Sequence, residues 1–168
     1  ENELCIPCPN PGAICNGTTF NDPISQFGFW RESLDIACDE FSNDGYDCKK
    51  FRKLQVLIFQ ENAIGDEPVI SLAKASAFAN LRKLNLYRTD LSVKGIKILA
   101  KSKVLQRVKH LNLARNYLNL DSAQYIAKTK TLVNIETLLM FDTGIGDAGV
   151  QIIMESESFK NLKTLRVT

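Results

Sequence analysis

Five columns of residues recur along this chain at an unvarying interval of 27, and that interval limits what it can fold into more than any other feature. Leu54, Leu81, Val108, Ile135 and Leu162 open the series. Three residues on stand Leu57, Leu84, Leu111, Leu138 and Leu165, and two further on Phe59, Leu86, Leu113, Met140 and Val167. An Asn/Thr column follows at Asn62, Thr89, Asn116 and Thr143, and then Ile64, Leu91, Leu118 and Ile145. The unit reads L-x-x-L-x-L-x-x-N/T-x-L. Self-similarity at a fixed period marks stacked supersecondary units, none of which can bury its own apolar face alone.

Each unit changes period halfway. Its first half alternates apolar and polar residues, the signature of a short strand with one buried face. The second half places Val69, Leu72, Ala73 and Phe78 in columns with Ile96, Leu99, Ala100 and Leu105. The same columns hold Ala123, Ile126, Ala127 and Leu132, then Val150, Ile153, Met154 and Phe159. Gaps of three and four are helical. Turn residues Gly65-Asp66 and Gly146-Asp147 separate strand from helix. Pro68, where the other units have Gly95, Ser122 and Gly149, suits a first helical turn. Strand, turn and helix therefore repeat, and stacking predicts a parallel sheet backed by one helical layer. The Asn/Thr column falls where the chain leaves the strand, so its side chains are expected to satisfy backbone groups there.

This unit resembles the leucine-rich-repeat family over residues 54–168, and its period and helical second half are most similar to the ribonuclease-inhibitor type. The resemblance implies an α/β leucine-rich-repeat solenoid, right-handed, with parallel strands on a concave face and helices on the convex face. It implies recognition of another protein through the concave face. Four full units and a partial fifth occupy residues 51–168. No capping element follows the fifth strand, so either the protein continues or this edge meets a partner.

Residues 1–50 are different. All five cysteines lie there: Cys5, Cys8, Cys15, Cys38 and Cys48. Pro7, Pro9, Pro11 and Pro23 accompany them, with few periodic apolar positions. The segment reads as a loop-rich N-terminal cap. The order C-x-x-C-P-x-x-x-x-x-C followed by Gly28-Phe29-Trp30-Arg31 resembles a small extracellular cysteine-rich motif. Disulfides among Cys5, Cys8, Cys15 and Cys38 are favoured over a zinc site on Cys5-x-x-Cys8, because zinc motifs usually have a second close pair. Simple buried thiols are the third reading. Cys48 falls in the column of Ala75, Ser102, Thr129 and Ser156, so residues 46–52 are expected to pack against the first repeat with Cys48 unpaired. Trp30 reads as core of the cap. Asn16-Gly17-Thr18 is a glycosylation sequon, in keeping with an extracellular or cell-surface protein.

Chemistry is hard to find. The charge of +2 argues against a polyanion binder, and no apolar run approaches a membrane span. Phosphate loops, dinucleotide fingerprints and zinc-protease motifs are missing from the sequence. The sole histidine, His110, lies on a strand facing away from the buried leucines and two repeats from the cysteine segment. We therefore expect no catalytic residues, no metal, no cofactor, no small-molecule substrate and no nucleic-acid partner.

What remains is the face opposite the leucines. Val56, Ile58, Gln60 and Glu61 come from unit one, Lys83, Asn85, Tyr87 and Arg88 from unit two, and His110, Asn112, Ala114 and Arg115 from unit three. Thr137, Leu139, Phe141 and Asp142 follow from unit four, and Thr164 and Arg166 from unit five. Aromatics and arginines around an apolar patch are what protein-binding hot spots use. The expected contact residues are Ile58, Asn85, Tyr87, Arg88, His110, Asn112, Arg115, Leu139, Phe141, Asp142 and Arg166. Two alternatives keep the fold and change the context. One is an intracellular effector or ligase-complex adaptor with reduced cysteines, working in a host cytoplasm. The other is a substrate-docking arm of a larger enzyme.

Overall fold

The computed structural model describes residues 52–167. The expectations for the cysteines, Asn16, Trp30 and the packing of residues 46–51 lie outside the described residues.

The described residues form an α/β architecture of five parallel strands and four α-helices. Strands β1 (Val56–Ile58), β2 (Lys83–Asn85), β3 (His110–Asn112), β4 (Thr137–Leu139) and β5 (Thr164–Arg166) lie side by side in chain order. Helices α1 (Asp66–Lys74), α2 (Val93–Leu99), α3 (Leu120–Ala127) and α4 (Gly146–Met154) fill the four crossovers. Each helix packs against the next, so all four share one layer. Pro68 sits buried in the first turn of α1, where its missing N–H costs nothing. Gly65 and Gly146 turn the chain at the helix starts with φ of 67° and 66°, and Asp66 and Asp147 already belong to the first helical turns.

Register follows the period without slippage. Leu57 pairs with Leu84, Leu84 with Leu111, Leu111 with Leu138 and Leu138 with Leu165. The three central members are buried, and the outer two are partly buried against the same core. Burying one leucine side chain contributes about 1.5–3 kcal/mol, so a row that recurs in every unit strongly disfavours a one-residue slip. The helical columns meet these leucines from one side, through Ile96, Leu99, Ala123 and Ile126. A parallel sheet is ordinarily covered on both faces by its crossovers. Here consecutive crossovers all fall on one side, and among the described residues the other face stays open.

One member of the helical columns is exposed rather than buried. Met154 continues the column of Ala73, Ala100 and Ala127, yet it is 72% exposed. Those alanines are covered by the helix of the next unit, and no described helix lies beyond α4. Helix spacing explains the small residues nearby. A Cβ on Gly149 would stand 2.8 Å from Ile145 Cβ and 3.1 Å from Ala123 Cβ. Both atoms are tied directly to backbone, so α3 and α4 approach this closely only because the side chain is missing.

Candidate functional site

The open face is built by three short strands' worth of side chains and the turns that follow them. Strand residues alternate, so Lys83, His110 and Thr137 form one row and Ile58, Asn85, Asn112, Leu139 and Arg166 another, on either side of the leucines. Lys83, Asn85, His110, Asn112, Thr137 and Leu139 line a shallow, open depression of about 370 Å³ over β2, β3 and β4. His110 is exposed within it.

Beyond the strands comes the column Gln60, Tyr87, Ala114, Phe141. Tyr87 and Phe141 are two strands apart, roughly 10 Å at about 4.8 Å per strand. Their ring centroids nevertheless stand 6.2 Å apart, at an interplanar angle of 49°. Ala114, on the strand exit between them, is what permits this: its methyl group leaves room for both rings to lean together, and it is fully buried. The Arg115 guanidinium lies 5.8 Å from the Tyr87 ring centre and that of Arg166 5.2 Å from the Phe141 ring centre. In such cation–π pairs the guanidinium charge is attracted to the negative face of the ring. Arg115 Nε also donates to Asp142 Oδ2 at 3.2 Å, and this carboxylate, with Tyr87, raises the guanidinium above its usual pKa. Tyr87, Phe141, Arg115, Asp142 and Arg166 thus form one continuous cluster.

The turn geometry aims the charged members. Glu61, Arg88, Arg115 and Asp142, one per unit, hold φ between 50° and 61°. This left-handed region costs non-glycine residues about 1 kcal/mol or more. Their backbones are held there by the next unit: Glu61 N–H donates to Tyr87 O, Arg88 N–H to Ala114 O and Arg115 N–H to Phe141 O. The Asn/Thr column completes the turn. Thr89 Oγ1 donates to Leu86 O, Thr143 Oγ1 to Met140 O, and Asn62 Nδ2 to Phe59 O, as the sequence led us to expect.

Other expected contact residues are placed differently. Asn85 is buried at 8% exposure; its Nδ2 donates to Gln60 Oε1 and its Oδ1 accepts from Tyr87 N–H, so its polar groups are committed within the fold. Asn112 is half-buried and accepts from Ala114 N–H in the same way. Leu139 is half-buried between Asn112 and Arg166. Ile58 is 55% exposed but sits on β1, three strands from Leu139, outside the cluster. Arg88 is exposed beside Tyr87.

Two further columns went unread in the sequence. Ser102, Thr129 and Ser156 had registered only as small residues. Their hydroxyls donate to Ala73 O, Ala100 O and Ala127 O, carbonyls at the C-terminal ends of the preceding unit's helix. Asn80, Asn134 and Asn161 donate through Nδ2 to Arg52 O, Gln106 O and Val133 O, again one unit back. Hydroxyl and amide chemistry recurring at the 27-residue interval was the available signal. A third inter-unit tie joins Glu136 to Lys109 at 2.6 Å and to Lys163 at 2.7 Å, which pulls the Glu136 carboxyl down to about 2.

Among the described residues no helix is long and apolar enough to cross a membrane. Comparison with protein-family models and with curated proteins gives no match to this chain.

Proposed function

We propose that the chain is a leucine-rich-repeat solenoid of the ribonuclease-inhibitor-like type, and that it works by recognising another protein through its open, concave sheet face rather than by catalysis. The in-register 27-residue columns support the architecture. The observation that carries the function is the Tyr87–Phe141 pair leaning together over Ala114, with Arg115 and Arg166 against the two rings. Aromatic and arginine side chains bury large area at low entropy cost and dominate interface energetics. These ones rise from strand exits whose backbones are bonded to the neighbouring unit, so little ordering is left for a partner to impose. The sequon at Asn16 and the spacing of Cys5, Cys8, Cys15 and Cys38 support an exported setting for this recognition.

The test is affinity capture with the full chain, comparing wild type with Tyr87→Ala/Phe141→Ala and, separately, Arg166→Ala, with circular dichroism confirming that each variant is folded. Loss of most of the captured protein in the double variant, and a smaller loss in Arg166→Ala, is the expected result. Equal recovery of the same proteins by all three removes the assignment.

A further inference from the structure

The cations of the open face are not balanced by its anions. Lys83, Arg88 and Arg166 are exposed and have no ion-pair partner among the described residues. Of the carboxylates at these strand exits, Asp142 is already engaged by Arg115 at 3.2 Å, while Glu61, one strand exit from Arg88, and Asp90, two residues after it, are exposed and form no ion pair with it. The unpaired arginines flank the aromatic pair: Arg88 follows Tyr87 directly, and Arg166 lies over Phe141.

The spacing has a consequence. Arg88 leaves β2, and the Arg166 guanidinium sits above the exit of β4. Two to three strand spacings separate them, roughly 10–14 Å at about 4.8 Å per strand. An extended chain advances about 3.3 Å per residue and returns its side chains to one side every second residue. Carboxylates at i and i+4 are then about 13 Å apart on one side, with the side chain at i+2 midway between them. We propose that the open face docks an extended acidic segment of a partner protein, carboxylates at i and i+4 meeting Arg88 and Arg166 while an apolar or aromatic side chain at i+2 lies on the Tyr87–Phe141 pair. This deepens the recognition reading above and rests on it.

A polyanion fits less well. Asp142 and Glu61 stand on the same face and would repel a phosphate backbone, whose affinity depends on an uninterrupted track of cations. The two rings close on each other at 6.2 Å and leave no slot for a base to stack between them. Lys83, at the start of β2 and four residues before Tyr87, lies to one side and gives the segment a further electrostatic anchor.

The experiment is an amide-resolved NMR titration of the full chain with four probes. They are the capped peptide Ser-Glu-Ser-Phe-Ser-Glu-Ser, the same peptide with Lys for Glu, the same with Ala for Phe, and a single-stranded oligothymidine. The acidic peptide is expected to shift the amides of Tyr87, Ala114 and Phe141 saturably, at least about tenfold tighter than the lysine peptide. Losing one close charge contact typically weakens such binding about tenfold, the effect expected for Arg88→Glu and for Arg166→Glu separately. Both positions are exposed, so each variant should keep the wild-type circular dichroism spectrum, and Arg88→Glu, which removes no contact to the aromatic pair, suffices alone for the test. Equal binding of the lysine peptide, tighter binding of the oligonucleotide, shifts confined to other faces, or no saturable binding overturns the proposal. Partner loss in Tyr87→Ala/Phe141→Ala without binding of the acidic peptide overturns only the acidic chemistry, whereas unchanged capture by that variant removes the recognition reading itself.

Discussion

The side chain of Asn116 is 2% exposed and shares six hydrogen bonds between two units. Its Oδ1 accepts from Thr89 N–H, Thr89 Oγ1 and Leu91 N–H, and its Nδ2 donates to Leu86 O, Leu113 O and Ala114 O. Leaving buried backbone groups unpaired costs about 1–3 kcal/mol each, and several are exposed to that penalty here. Asn116→Ala is therefore expected to destabilise the protein by at least about 2 kcal/mol in urea unfolding. Asn116→Thr should cost less, because a hydroxyl restores the bond to the carbonyl three residues back, as at Thr89 and Thr143. Equal losses for the two variants would show that the contacts to Thr89 and Leu91 carry the energy. The existence of this column was legible from the sequence, since a turn out of a strand strands backbone polar groups. Its reach into the preceding unit was not, because only stacking brings Leu86 and Leu91 within range. The left-handed residues Glu61, Arg88 and Arg115 were invisible for a different reason: unlike Asp142, none is of a type enriched at positive φ.

At the scale of the element, the helices are tied by their C-terminal ends. Each helix leaves carbonyls without intrahelical partners, and in α1, α2 and α3 a hydroxyl from the next unit takes one of them. The ties are unequal. Ala73 O accepts from Ser102 Oγ, whereas Ala100 O accepts from both Thr129 Oγ1 and Thr131 Oγ1. Ser102→Ala should thus cost about 1–3 kcal/mol, and Thr131→Ala clearly less, since Thr129 keeps the Ala100 carbonyl bonded. Thermal melts of the two variants side by side check this; a larger loss for Thr131→Ala would contradict the assignment. Helix positions themselves were legible from three-and-four spacing. Met154 shows the limit of that spacing, which identifies an apolar face but not whether another helix lies against it.

Across the whole molecule, neighbouring units are joined at both ends of each strand as well as through the core. Glu136 accepts from Lys109 and Lys163, linking β3, β4 and β5 at their entry side. These lysines hold its carboxyl down to about 2 from an ordinary 4.5. A depressed folded value means the contribution is fully present above the unfolded value, near 4.5, and is lost as pH falls through about 2. Stability measured by urea unfolding between pH 5 and pH 2 is expected to fall more steeply in wild type than in Glu136→Gln. Added salt should flatten the wild-type slope, because both lysines that hold the carboxylate are exposed. Parallel pH slopes for the two proteins would assign the acid sensitivity elsewhere.

The period alone determined the unit and the direction of its strands, because a fixed repeat leaves one stacking that brings the leucine column into a single row against the core. It also placed Tyr87, Ala114 and Phe141 in one column. Only the tertiary structure decided that the two rings meet, that Asn85 is drawn inward, and that Arg88 and Arg166 remain unpaired among the described residues. Those outcomes depend on distances of a few ångströms between units, which are set by how closely alanine and glycine let neighbouring chains approach and are not encoded in spacing along the chain.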